Sequence, residues 1–366
     1  MSGATEVTTA TTTADSSAGP SAWVQQSAIT DPGRHTALFD ALVPDGGPRQ
    51  DGTGSAVADG GPRRHAPVSA MSDGGARRGG TGSAVADGGP SVSGASTPAA
   101  MVDAVCGAVR GLVSHYVGAG IAFSQERRAE ADSRWVEDIV ESIVRRDPRA
   151  LTEPREPVER FVGCCRDFTA LTVAALRHHG IPARSRVGFA NYFGDGFWYD
   201  HVVAEYWDGG AGRWVRVDAQ FPEEWNGVNM RDIDTAGPRF RGAAEVWLDH
   251  RAGRIDDEQI LDYGASPELP LAGAYFVRNY VLIELAHLAG IETLLWDTWG
   301  AMLQRPLRRT DDHALVDRVA TVLLDRDVSR ETLEELLAEP GLDPHTDTKI
   351  SLSPSGAFQQ PVTLAR

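Results

Sequence analysis

The most constraining stretch of this chain runs from Gly163 to Pro182, GCCRDFTALTVAALRHHGIP. Phe168, Leu171, Ala175 and Leu176 recur at helical spacing, which gives one apolar face. Gly180 stands where a left-handed helix cap belongs, and Pro182 blocks continuation. The helix therefore opens near Cys165, straight out of a glycine-led loop. A thiol at a first helical turn faces unpaired N–H groups and the positive end of the macrodipole. Both favour the thiolate.

Short β-like runs follow at Arg184–Phe189, Asp200–Trp207 and Arg213–Gln220. Asp208-Gly-Gly-Ala-Gly212 punctuates the last two as a hairpin. Period two puts His201, Val203, Glu205 and Trp207 on one face, and Trp214, Arg216, Asp218 and Gln220 on another. Pairing Trp207 with Gly212 would set His201 opposite Asp218. Directly opposed side chains approach within ~5 Å at Cβ, close enough for an imidazole–carboxylate hydrogen bond. A slip of one residue would separate the two. Helices before and after these strands make the class α+β, with helices segregated against a small antiparallel sheet.

Cys165, His201 and Asp218 are the parts of an activated-thiol acyl-transfer site. Asp218 would orient His201, His201 would take the thiol proton, and Cys165 would attack an acyl carbon. The Cys165 backbone N–H would help hold the oxyanion. Plainer readings compete. A cysteine opening a buried helix is most often a small core residue, and a strand histidine is usually a satisfied, half-buried side chain. Cys164 competes with Cys165 for the productive direction, and Asp167 suits the first helical turn better than chemistry.

The rest of the chain divides by composition. Residues 1–27 are Thr/Ser/Ala-rich and read as a disordered tail, and 28–44 as a short ordered segment joining the core. Residues 45–98 carry GTGSAVADGGP twice, at Gly52–Pro62 and Gly80–Pro90, a turn-rich unit with no core. This reads as a disordered insertion without chemistry. The main domain spans 99–340, and a polar tail covers 341–366. Apolar spacing predicts helices over Met101–Val117, Glu126–Arg146, Leu271–Leu288, 312–325 and 329–338.

Gly163-Cys-Cys-Arg-Asp-Phe168, Gly180-Ile-Pro-Ala-Arg184, Asp200-His201, Glu205-Tyr-Trp and Trp214-Val-Arg-Val-Asp218 together resemble the transglutaminase-like core. That papain-related superfamily of cysteine proteases and transglutaminases includes a prokaryotic subgroup to which the wider context is similar. The resemblance implies a papain-like fold: a catalytic helix on a small antiparallel sheet, with extra helices on both sides. It implies that Cys165, His201 and Asp218 are catalytic, acting through a thioester on a peptide or protein amide. Protease, amidase and glutamine acyltransferase activities all fit. The alternative is a catalytically silent fold that binds peptides. Two positions depart from the pattern: Cys164 stands where a small polar residue is usual, and Val202-Val203 replaces an aromatic after the histidine.

Composition narrows the partners. No DxDxDG loop or spaced Cys/His cluster is present, so neither metal nor other cofactor is expected. Three cysteines, two of them adjacent, suggest no disulfide framework. The N-terminal stretch lacks a basic and an apolar region, so no signal peptide is expected. The most apolar run, Leu269–Leu295, contains Arg278, Asn279, Glu284 and His287, which argues for a core helix and against a membrane partner. A cytoplasmic location is the expectation. A formal net charge of -16 argues against nucleic acid. Lys349 is the sole lysine among 35 basic residues, a skew that suits a GC-rich genome and, as a hypothesis, a salt-adapted cytoplasm. Solubility and activity should then rise with molar salt, and indifference to salt would count against it.

Overall fold

Apolar spacing by three and four gives way to alternation near Ala183, and the chain folds accordingly: helices lead, a sheet follows, helices close. The computed structural model describes residues 19–43, 97–194, 196–303, 305–308, 311–345, 349–355, 358–362 and 364. The expected tail before residue 19 and the insertion up to residue 96 lie outside them. The first elements are α1 (Pro98–Arg110), β1 (Val113–His115), α2 (Gln125–Arg128), α3 (Val136–Arg146), β2 (Phe161–Gly163) and α4 (Cys165–His178). Next come β3 (Ala183–Ala190), β4 (Trp198–Asp208), β5 (Arg213–Val217), β6 (Glu224–Trp225), β7 (Val228–Asn229) and β8 (Phe240–Gly242). The last are α5 (Ala243–Arg251), β9 (Tyr263–Gly264), α6 (Ala274–Leu288), β10 (Asp297–Thr298), α7 (Ala314–Leu323), α8 (Arg330–Leu337), β11 (Lys349–Leu352) and β12 (Phe358–Val362).

The main sheet runs β5-β4-β3-β8, antiparallel throughout, with β9 added parallel to the start of β4. Helix α4 packs against β4 and α1, while α6 packs against β3 and α5. This is an α+β architecture with the cysteine helix laid on an antiparallel sheet. Helix α6 is apolar on nearly every side, and Glu284, His287 and Asn279 each find a hydrogen-bond partner. Glu284 accepts from Arg186 at 2.7 Å, His287 Nδ1 meets Ser185 Oγ at 2.8 Å, and Asn279 donates to the Leu303 carbonyl at 2.6 Å. Among the described residues, no helix is long and apolar enough to cross a membrane.

Four expectations need correction. The helix expected over Met101–Val117 stops at Arg110. Beyond Gly111 the chain runs beside Pro154, and Val113–His115 pairs in parallel with Phe161–Gly163. Ladder bonds and β-branched Val113 outweigh the helical spacing there. The helix expected over Glu126–Arg146 breaks at Ser133–Trp135. There Arg134 reaches Asp297 with two hydrogen bonds, of 2.7 and 3.2 Å, and the Arg134 carbonyl accepts from Arg166. Nor does the N-terminal tail extend to residue 27. Pro20–Trp23 forms a 3₁₀ turn, and Trp23 packs edge-on against Trp214 at 5.7 Å under the Arg184 guanidinium. The polar C-terminal segment is likewise structured in part: Leu342 is buried, and β10, β11 and β12 form a second antiparallel sheet.

Trp23 is 2% exposed and donates Nε1–H to the Leu288 carbonyl, which ties the N-terminal segment to the end of α6. Trp23→Ala should lower unfolding free energy by ~3–5 kcal/mol in denaturant titration, the usual cost of truncating a buried tryptophan. A loss below ~1 kcal/mol would show that this docking contributes little.

Candidate active site

The junction between β2 and α4 is built around Asp167. Its Oδ2 accepts the Cys164 backbone N–H at 2.8 Å, capping the helix. A Cβ on Gly163 would meet that oxygen at 2.5 Å, so only glycine lets the strand come this close. Arg166 pairs with the other carboxylate oxygen at 3.1 Å and donates to the Glu292 carbonyl at 2.6 Å. Burial lifts the Asp167 carboxyl to about 6, against the pull of Arg166. Asp167 is therefore a capping group, and Cys165 becomes the first residue of α4.

His201 arrives on β4 and Asp218 just past the end of β5. Their side chains meet, His201 Nε2 to Asp218 Oδ2, at 2.7 Å. The register that joins them differs from the expected one. Trp207 pairs with Trp214, so a continued ladder would set His201 opposite Gln220, not Asp218. The slip is two residues, which keeps every side chain on its expected face. Asp218 reaches the histidine because β5 ends at Val217 and the chain turns, with the Asp218 N–H bonding the Met230 carbonyl at 2.9 Å. Oδ1 then accepts from Gln220 N at 2.9 Å, and Oδ2 also accepts from Tyr192 OH at 2.8 Å. Tyr192 and Phe193 stand edge-on to the imidazole at 5.7 and 5.4 Å and shield it from water.

The Cys165 and His201 side chains lie close enough to act on each other's charge, so the structure brings Cys165, His201 and Asp218 together. With Nε2 held by Asp218, Nδ1 is the ring nitrogen left for the thiol proton. All three residues are buried, Cys165 to 5% exposure. Burial alone would push His201 down. The Asp218 carboxylate and the Cys165 thiolate outweigh it and raise His201 to about 10. Cys165 is held well below the usual thiol range, first by a hydrogen bond from Cys164 and then, against burial, by the His201 charge. That same bond, burial and Asp167 keep Cys164 protonated. Of the two adjacent thiols, Cys165 is therefore the one whose surroundings favour the thiolate. The third cysteine, Cys106, is buried and pushed up to about 11, which makes it inert.

Sequence reasoning missed four residues here. Tyr192 anchors Asp218, as described. Asp200, half-buried beside His201, accepts a hydrogen bond from Tyr280 OH, and burial with the neighbouring thiolate lifts it to about 7. Burial pushes the Tyr116 hydroxyl up, and the charges of Cys164, Asp200 and Cys165 add to that. Only Asp200 left a sequence signal, its adjacency to His201. The tyrosines come from segments far away in sequence. Among the described residues no group of three or more His, Cys, Asp or Glu could hold a metal ion.

Residues 119–219 match the family model described as the transglutaminase-like superfamily, a span that contains Cys165, His201 and Asp218. The chain carries a transglutaminase-like domain. A solved structure of a candidate cysteine protease from Cytophaga hutchinsonii is 24% identical over 33% of this chain and 30% of its own, with a TM-score of 0.21. No curated protein matches.

The paired cysteines of the transglutaminase-like domain make a specific prediction. A hydrogen bond to a charged group contributes ~1.5–3 kcal/mol, so Cys164→Ala should move the acid limb of Cys165 alkylation up by ~1 pH unit or more. Cys164→Ser, which keeps a donor, should leave the limb nearly in place. Equal profiles for the alanine and serine variants would show that Cys164 does not tune its neighbour.

Proposed function

We propose that this protein is a cysteine-dependent acyl-transfer enzyme acting on an amide or peptide bond of a peptide or protein substrate. The observation that carries the reading is the buried Cys165–His201–Asp218 line, whose charges favour thiolate and imidazolium together. In the proposed cycle the Cys165 thiolate attacks the carbonyl carbon, and the backbone N–H of Cys165 steadies the oxyanion. The C–N bond then breaks, His201 gives its proton to the departing amine, and a thioester remains on Cys165. Water, or a second amine, attacks the thioester while His201 takes up its proton. The acyl group leaves as a carboxylic acid or a new amide, and the thiolate is restored. Asp218 holds the imidazole in one orientation throughout, itself held by Tyr192 and the Gln220 N–H.

The pH window follows from the two shifts. Protonation of Cys165 sets the acid limb, and its lowered pKa moves that limb well below the ~8.5 of a free thiol. Loss of the His201 proton sets the alkaline limb, and its raised pKa puts that near 10. Between them the ion pair persists and activity should be flat. Alkylation by iodoacetamide tests the ion pair without knowledge of the substrate, in a Cys106→Ser/Cys164→Ser background. The rate at pH ~6 should be close to that at pH ~8, whereas an ordinary thiol would lose ~100-fold over that span. His201→Ala should abolish the plateau. A slow profile rising tenfold per pH unit and indifferent to His201 would overturn the proposal in favour of a silent, peptide-binding fold.

A further inference from the structure

A second buried charge cluster occupies the main sheet, centred on Glu205 of β4, which is 0% exposed. Its cross-strand neighbours are Arg184 on β3 and Arg216 on β5. Oε2 accepts from Arg184 Nε at 2.7 Å, with Arg186 3.6 Å away. Oε1 lies 3.3 Å from Arg326 Nη2 and 3.4 Å from Arg216 Nε. Glu284 pairs with Arg186 at 2.7 Å, and Asp234 pairs with Arg216 and Arg326 at 3.2 and 3.1 Å. Four guanidinium groups thus meet Glu205, Glu284 and Asp234, and a further carboxylate, Glu245, stands beside them and pairs with Arg241 at 2.8 Å.

Several donors of the cluster lack an acceptor. Arg184 Nη1, Arg186 Nε and Arg216 Nε are buried without a hydrogen-bond partner. A cavity of about 360 Å³ opens beside them, lined by Arg186, Arg216, Arg326, Asp234 and Glu245, with Leu323 and Leu324 on its apolar side. Arg186 is 5% exposed and its side chain lines the cavity. A buried guanidinium N–H without an acceptor is costly, and a planar fork of donors suits the oxygens of a phosphate or carboxylate.

We propose that this cavity binds a small oxyanion, a phosphate or carboxylate group held by Arg186, Arg216 and Arg326. The same arginines clamp the loop after α7 to the sheet, since Arg184 Nη2 donates to the Arg326 carbonyl at 2.8 Å. A clamp alone accounts for Glu205 and Asp234. It leaves the Nε donors of Arg186 and Arg216 without a hydrogen-bond partner. The inference is independent of the reading of Cys165.

Thermal unfolding of the full chain tests it, with inorganic phosphate and malonate each titrated against sodium chloride at matched ionic strength. At least one oxyanion should raise the melting temperature saturably where chloride does not, by mass action on the folded state. Response to phosphate alone assigns a phosphate-bearing ligand, to malonate alone a carboxylate, and to both an oxyanion of either kind. Arg326→Ala, at a side chain 44% exposed, should weaken the apparent affinity by ~tenfold or more. Asp234→Asn removes an internal competitor and should tighten it. A response equal to that of chloride would overturn the proposal. So would an unchanged anion response in both variants, which would leave a clamp only.

Discussion

Strand β4 has to bury two charged side chains four residues apart, and much of the structure is the solution to that problem. His201 and Glu205 are 2% and 0% exposed. An isolated ion in such a place costs several kcal/mol, and removing a partner from a buried pair costs ~3–5 kcal/mol. Each therefore recruits countercharge from the neighbouring elements. For His201 these are Asp218 past β5 and the thiolate at the head of α4. For Glu205 they are Arg184 and Arg186 on β3, Arg216 on β5 and Arg326 after α7. The placement of α4, β3, β5 and the α7–α8 loop around β4 follows the charges as well as the apolar surface.

The head of α4 shows how tightly local and tertiary demands are joined. Asp167 caps the helix through the Cys164 N–H and thereby requires glycine at 163. Cys164 lends its thiol hydrogen to Cys165, whose position at the first turn and contact with His201 already favour the thiolate. Cys164, at the position where a small polar residue was expected, lies next to Cys165 and shifts oppositely to it.

What was legible in the sequence was what short-range physics decides. The limits of α4 follow from apolar spacing, Gly180 in the left-handed region and Pro182, and the helix indeed runs Cys165–His178. Strands β3, β4 and β5 were visible as alternation broken by Asp208-Gly-Gly. What was not legible depends on partners remote in the chain. Arg134 breaks a helix because Asp297 waits 163 residues later, and Trp23 escapes a low-complexity tail because Trp214 and Leu288 cover it. Tyr192 and Tyr280 serve the site through hydroxyls that no local pattern announces. Neither the arginines around Glu205 nor the cavity beside them has a periodic signature, because charge on a strand face normally reads as solvent exposure.

The hairpin register separates a right pairing from the geometry assumed to produce it. A ladder placing His201 opposite Asp218 was a natural inference, yet the strands pair two residues away from it. Even slips preserve facing, so His201 and Asp218 stay on the same side. The contact is then made outside the ladder, where the chain leaves β5 and Met230 takes the Asp218 N–H. Freed from the ladder, the carboxylate has both oxygens available. One steadies the turn through Gln220, and the other is shared between Tyr192 and His201. A ladder residue would be held by backbone bonds alone, with its side chain left to choose a rotamer. Asp218 is held through the carboxylate itself. That is the constraint an imidazole needs if its other nitrogen is to stay aimed at a thiol.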